Sequence, residues 1–498
     1  MKFFLFFRWT KTVSAGLFLL VAGLFLVQDA AALSDDEKRD LDATGMAVYA
    51  ASTAAPADRR IAEAIGHISS SEIEHTIATL VAFRNRSTIS SMEKDLPSGT
   101  GVTAAADWIE GELKRYSAEC GGCLEVKRDT FTEPAGEGPR ARIKQPTTIT
   151  NVYAVLKGSD PAQAGRMILV TGHYDSRNTD IMDARGDAPG ANDDASGVAV
   201  SLECAHALSK LKLPATLVFA AVAGEEQGLN GSAHLAKLAK AEGWQLEAVL
   251  NNDIVGGNTT PGDKLQDKSV VRVFSENVPA NATPEEVKAL LRLGYESDSP
   301  SREEARAIAD VARTYGGTIA GKGRAFTPVL EFRLDRFLRG GDHSSFNQQG
   351  FAGVRFTEWR EDFNHQHQNV RTENGVEYGD LLKFVDLNYV AQVAKLNAAA
   401  MATFADAPPG PIEVKIKTSG LDNDSSLEWA DGAGAPAGTR YELLWRELAA
   451  GDWQRVMAVP AGQRAITVPV SKDNVIFGVR AVDTDGHRSP AVVPTPER

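Results

Sequence analysis

The sequence predicts an α/β fold, a mixed and mostly parallel sheet flanked by helices, followed by a small all-β sandwich. Three observations carry this. From residue 149 to residue 404, apolar strand-like runs alternate with stretches of helical period, and strands separated by helices form βαβ units around a largely parallel sheet. The preceding sequence, over 34–80 and 99–116, is charged, Ala-rich and helix-prone. Beyond Ala405-Asp406-Ala407-Pro408-Pro409-Gly410-Pro411 the runs become short and alternating, with turn residues between them, the texture of a sandwich.

In chain order, Lys2, Arg8 and Lys11 come first, then an apolar run over 15–27, then Ala30-Ala31-Ala32, small residues suited to a signal peptidase. Residues 1–32 therefore read as a signal peptide, and the chain as exported, to the periplasm or the extracellular space. The apolar run is short for a bilayer span, so no stable span is expected in the mature chain; retention of the run as an anchor stays open. A first domain is expected over 33–405, helix-rich to about residue 148. Its strands are placed at 151–156, 167–171, 216–222, 248–253, 270–274, 329–334 and 353–357, and its helices at 198–211, 231–242, 284–293, 302–315 and 382–404. A linker follows at 406–411. Residues 412–498 form the sandwich, with strands at 412–417, 441–446, 465–470 and 475–481. The run 475–483 and the region of Trp429 resemble a fibronectin type III domain, expected to act as a spacer or stabilising appendage.

Composition narrows the function. Over 498 residues the formal charge is −13, which argues against nucleic acid as a partner, since phosphate contacts need clustered Lys and Arg. A hydrophobic share of 43% and a charged share of 24% are those of an ordinary globular protein. Cys120 and Cys123 form Cys-Gly-Gly-Cys. No second pair completes a zinc knuckle, and no nearby helix start lowers a thiol pKa for redox work. A local disulfide in an oxidising compartment is expected, with Cys204 as a buried small hydrophobe.

The chemistry-bearing residues gather at predicted strand ends. The run over 167–170 leads to His173 and Asp175, and a Gly-rich loop then delivers Asp193 and Asp194 ahead of a Ser-Gly helix start. The strand at 216–222 leads into Gly224-Glu225-Glu226-Gln227-Gly228, and the strand at 248–253 ends in Asp253. His343 stands at a predicted helix start after Asp342. A parallel sheet gathers such residues beyond its carboxyl edge. Imidazole and carboxylate suit zinc, and a shared Asp can bridge two ions while one Glu coordinates and its neighbour serves as general base.

His173-Tyr174-Asp175, Asn192-Asp193-Asp194-Ala195-Ser196-Gly197, Gly224 to Gly228, Asn252-Asp253 and Asp342-His343 resemble the motifs of the co-catalytic zinc peptidases, peptidase family M twenty-eight. That family includes bacterial leucyl aminopeptidases and glutamate carboxypeptidase. The resemblance implies a zinc exopeptidase fold and two zinc ions. It implies Asp193 as the bridge, His173 and Asp253 on one ion, Glu226 and His343 on the other, and Glu225 as general base. It implies further that Asp175 orients the His173 ring, and that the Asp193–Asp194 peptide is cis. The activity implied is removal of N-terminal residues from peptides, with a carboxypeptidase or an endopeptidase as the near alternative. Glutaminyl cyclase and a non-catalytic binding protein are the remoter ones. One departure from the family pattern lies at 362–369, where His365 or His367 is a candidate to line the substrate pocket. The rim, and with it specificity, is expected from 256–341.

Overall fold

The computed structural model describes residues 44–46 and 49–498, except 322 and 324, and all of these belong to one compact unit. The expected signal peptide, 1–32, lies outside the described residues. Helices α1 (Arg59–Gly66) and α2 (Ser70–Ala82) start beneath side-chain caps, Asp58 accepting from Arg60 N and Ser69 from Glu72 N. In α3 (Gly101–Glu119) Val102, Ala105, Ile109, Leu113 and Tyr116 are buried, the three-and-four spacing of one helix face.

Eight strands form the main sheet: β1 (Leu124–Glu133), β2 (Thr147–Leu156), β3 (Arg166–His173), β4 (Thr216–Val222), β5 (Gln245–Asn252), β6 (Val270–Ser275), β7 (Thr327–Glu331) and β8 (Val354–Glu358). Their order is β1-β2-β4-β3-β5-β8-β6-β7. The four central strands, β4, β3, β5 and β8, run parallel, and every residue of β4 and β8 is buried, as strands covered on both faces require. The sequence reading did not include β1. Its segment, LEVKRDTFTE, alternates charged and apolar residues on a half-exposed edge, and it gains its place by pairing with β2 along its whole length.

The sheet is covered by α4 (Ala195–Leu208), α5 (Asn230–Ala241), α7 (Pro300–Ala320), α8 (His343–Gln348) and α9 (Leu387–Asp406), while α6 (Pro284–Leu293) lies on the surface with no buried residue. Helices α4 and α9 are buried on almost every side. The start of α4 lies hard against the sheet, because a Cβ on Gly197 would come within 2.2 Å of Asn252 O. Glycine permits that approach, and it brings the Asp193-Asp194 turn down onto the ends of β3 and β5.

After the hairpin β9 (Arg371–Glu373) and β10 (Val376–Tyr378), the chain builds two further sheets. One joins β11 (Ile412–Lys417), β12 (Ser425–Ala430), β15 (Ala465–Val468) and β17 (Thr495–Glu497) in the order β15-β12-β11-β17. The other joins β13 (Arg440–Glu447), β14 (Arg455–Ala458) and β16 (Val475–Val482) in the order β14-β13-β16. Ile416, Leu427 and Trp429 from one meet Leu443, Trp445, Phe477 and Val479 from the other in a common core.

These sheets are docked, not tethered. The expected linker begins with Asp406, the last residue of α9, and Ala407, Pro408 and Pro409 are buried. Arg166 Nη1 donates to Ala407 O at 2.9 Å. Against α7 and the turn before it, Arg446 pairs with Asp298 at 2.6 Å, both side chains at most 1% exposed. Arg306 donates to Gly451 O at 2.9 Å, Trp453 Nε1 donates to Glu303 at 3.1 Å, and Arg480 reaches Asp310 at 3.0 Å.

Candidate metal centre

The carboxyl ends of the four parallel strands converge on one cluster. His173 closes β3, and its Nε2 lies 3.2 Å from Asp193 Oδ1 and 3.9 Å from Asp253 Oδ2. Asp253 directly follows β5. Glu225 and Glu226 follow β4 through Gly224, whose φ of +82° is a left-handed conformation that glycine supplies without strain. From the chain beyond β8, His367 reaches in, with Nε2 at 2.9 Å from Asp193 Oδ2 and 3.0 Å from Glu226 Oε1. Asp193 therefore has a histidine and a carboxylate on each side: His173 with Asp253, and His367 with Glu226. Within each trio the candidate ligand atoms lie within 4.8 Å of one another.

The cluster is held by hydrogen bonds that leave little freedom. Asp175 Oδ2 accepts from Thr88 Oγ1 at 2.8 Å and from Glu226 N at 3.2 Å. The His173 Nδ1 lies 3.1 Å from the Asp175 main-chain oxygen and 3.4 Å from its Oδ1, which turns Nε2 toward Asp193 and Asp253. Asp194 caps α4 through Gly197 N at 2.9 Å and also accepts from His173 N at 3.0 Å. The Asp193–Asp194 peptide is cis. Asp253 is held by Arg355 at 2.8 Å, and Arg355 in turn by Asp335 at 3.1 Å.

Two further residues support the bridge. Asp380 accepts from Asn192 N and from Asp193 N, the latter at 2.7 Å. Gln366 Nε2 donates to Asp193 Oδ2 at 3.0 Å. Beneath the loop, buried Arg86 donates to the carbonyls of Leu80, Tyr174, Pro189 and Gly190. Sequence reasoning missed Asp380 and Arg86, which act through main-chain groups, and Gln366, which acts on a carboxylate 173 positions away in the chain.

The structure does not bring His343 into this cluster. It opens α8, as expected, but its Nε2 faces the Leu334 carbonyl at 2.8 Å. The place expected for it is taken by His367, which the sequence offered only as a pocket candidate. The available signal was positional: His367 follows the carboxyl end of the fourth parallel strand, whereas His343 precedes that strand. His365 is instead stacked on Phe384, with ring centroids 3.7 Å apart.

The residues present fit a pair of divalent ions. His173 Nε2 and Glu226 Oε1 are buried and have no hydrogen-bond partner among the described residues, although they face Asp193 and His367 at short range. Burial works against charge on His367, but the Glu226 and Asp193 carboxylates outweigh it and push its pKa up to about 10. A field that holds a proton there also favours a cation. Burial, reinforced by the Asp253 and Glu226 carboxylates, pushes Glu225 well above the usual carboxylate range. Nitrogen and carboxylate donors in this number suit zinc.

A mixed sheet with imidazole and carboxylate donors at its carboxyl edge defines a class, the metal-dependent hydrolases of the α/β type. Within it, this chain belongs to Peptidase family M28, whose model matches residues 151–387, and it is a zinc metallopeptidase. A probable zinc metalloprotease of Pyrenophora tritici-repentis is 42% identical over 445 residues, covering 89% of this chain and 88% of the relative. A probable zinc metalloprotease of Pyricularia oryzae is 45% identical over 449 residues, covering 88% and 85%. Among solved structures, the Legionella pneumophila LapA aminopeptidase is similar at 19% identity and a TM-score of 0.47, covering 71% of this chain and 76% of that one.

Proposed function

We propose that this chain is an exported exopeptidase that hydrolyses peptide bonds with two zinc ions and Glu225 as general base. The observation that carries it is the position of Asp193 between His173 with Asp253 and His367 with Glu226. These five residues would hold the metals. When bound, zinc supplies Lewis acidity toward water and toward the scissile carbonyl. The Glu225 carboxylate takes the proton of the attacking water and returns it to the leaving amine nitrogen. Asp175 keeps the His173 ring in one orientation and, through the main-chain N–H of Glu226, fixes the turn that aims Glu225.

The family's aminopeptidases give the finer reading, removal of N-terminal residues. It needs an acceptor for the α-ammonium, and the carboxylates lining the cleft are Asp193, Glu225, Glu226 and Asp253. All four are committed to metal or base in this proposal. Residues 1–32 as a signal peptide, 33–405 as the catalytic domain and 412–498 as a fibronectin type III-like sandwich complete the reading. The Cys120–Cys123 disulfide supports an oxidising compartment. Peptides with free and with blocked termini, assayed with and without a chelator, test it. Cleavage that survives chelation, or no cleavage of any peptide by zinc-loaded protein, rules it out.

A further inference from the structure

Over the metal centre lies a cleft of about 350 Å³ whose lining is rich in arginine: Arg142, Arg177, Arg336 and Arg339. The protein as a whole carries a net charge of −13, so this concentration runs against its composition. Two of the four are neutralised, because Arg336 and Arg339 both pair with Glu361, at 2.9 and 3.0 Å. The other two are not. Arg142 donates to the Glu226 carbonyl at 2.9 Å, and Arg177 donates to the Asn178 carbonyl at 3.1 Å and, at 3.4 Å, to that of Thr179. Among the described residues neither has a carboxylate partner. Arg355, by contrast, is held between two carboxylates, those of Asp253 and Asp335.

A guanidinium presents five donors in a planar fork, so one carbonyl contact at Arg142 and two at Arg177 still leave N–H donors on each to take a carboxylate. The four carboxylates of the cleft would be offset by the metals they hold, so two such groups at its rim favour anionic ligands. The mouth adds apolar surface, since Leu338 also lines it and is 91% exposed at a φ of +58°. A non-glycine residue in that conformation stores strain that surrounding structure must hold, and here it turns an apolar side chain outward at the rim.

We propose that Arg142 and Arg177 form a carboxylate subsite, so that the enzyme selects peptides carrying a carboxylate beside the scissile bond. This rests on the metallopeptidase reading above. The carboxylate has two sources, an acidic side chain or the free α-carboxyl of the substrate. Arg142 is anchored on the carbonyl of Glu226, the residue after the general base, and lines the same cleft as Glu225.

The test uses zinc-loaded protein and short peptides that differ only in glutamate against glutamine at one position, and in a free against an amidated C-terminus. The first pair reports a side-chain carboxylate and the second an α-carboxylate. At least one of them is expected to raise kcat/KM by about tenfold or more, the scale of a charge-assisted, two-bond guanidinium–carboxylate contact. In the double variant Arg142→Gln, Arg177→Gln that ratio is expected to fall to within about threefold. Ratios near one in the wild type, or a ratio unchanged in the variant, overturn the proposal. If every peptide is cleaved at a similar rate, the subsite fails while the peptidase reading stands. If no peptide is cleaved, the peptidase reading fails, and the subsite is decided by titrating the same peptides into zinc-loaded Glu225→Gln protein with and without the two arginine substitutions. Arg177→Lys, which keeps charge but loses the fork, is expected to restore only part of the preference.

Discussion

The imidazole of His367 stands 2.9 Å from Asp193, a residue 174 positions earlier in the chain, and shares that carboxylate with His173 on the opposite side. His367→Ala is therefore expected to lower bound zinc from two ions per chain to one and to cut kcat by at least about a hundredfold, the scale on which loss of a catalytic group is felt. His343→Gln, by contrast, removes a contact to the Leu334 carbonyl and should leave the zinc content at two. Metal analysis of the two purified variants checks both expectations, and two ions in His367→Ala would refute the assignment.

Glu225→Gln keeps the shape of the side chain and its place in the turn but removes the proton acceptor. kcat should fall by about 10²–10⁴-fold, with zinc content and melting temperature close to the wild type. Retention of most of the activity would move the general base to another residue.

Removing zinc should also lower stability. Without the ions Asp193, Glu225, Glu226 and Asp253 face one another in a buried space, and any ligand that binds only the folded state adds to its stability. A chelator is expected to lower Tm and added zinc to restore it; a Tm indifferent to chelation would mean the cluster does not hold metal in solution.

Helix α7 and the sandwich share charges that water does not reach. Arg446→Met leaves Asp298 buried with only the Arg306 pair, at 3.3 Å, to compensate it, and breaking a buried pair costs about 3–5 kcal/mol. Denaturant unfolding should register a loss on this scale. The double variant Arg446→Met, Asp298→Leu should regain much of it, which separates stranded charge from lost packing.

His487 binds three carboxylates, lying 2.6 Å from Asp483, 3.2 Å from Asp58 and 3.7 Å from Asp406, while Arg60 bridges Asp58 and Asp406. Burial alone would lower its pKa, but Asp483, then Asp406 and Asp58, raise it above 6.5. A raised folded pKa means that protonation favours the folded state. That contribution is whole below about pH 6.5 and is lost as pH rises through the folded value. The Tm difference between wild type and His487→Gln should therefore shrink as pH increases above 6.5, and a constant difference would show that charge on His487 plays no part.

Much of the centre was legible because strand ends announce themselves. The apolar runs before His173, Glu225 and Asp253 are continuous and buried in β3, β4 and β5, so the residue after each run had to lie at one edge of the sheet. His367 was harder to place, because eight residues separate it from the end of β8 and the intervening chain has no regular period. His343 misled for the opposite reason: a histidine at a helix start beside an aspartate has the right chemistry, yet α8 enters the sheet before β8 and points its ring back at Leu334. The docking of the sandwich was illegible. Pro408 and Pro409 read as part of a linker, but they are buried, with Gly432 against Pro409 and Arg166 of β3 on the Ala407 carbonyl, both from distant parts of the chain.

The ion pairs under the sandwich also set a schedule. A chain grows from its N-terminus, and domains fold as they emerge. Asp298, Glu303, Arg306 and Asp310 on and before α7 are made well before their partners Arg446, Trp453 and Arg480. Until the last strands arrive, that helix keeps a row of charges with nothing to cover them. A prematurely terminated chain thus carries an open seam of acidic and basic side chains along that helix.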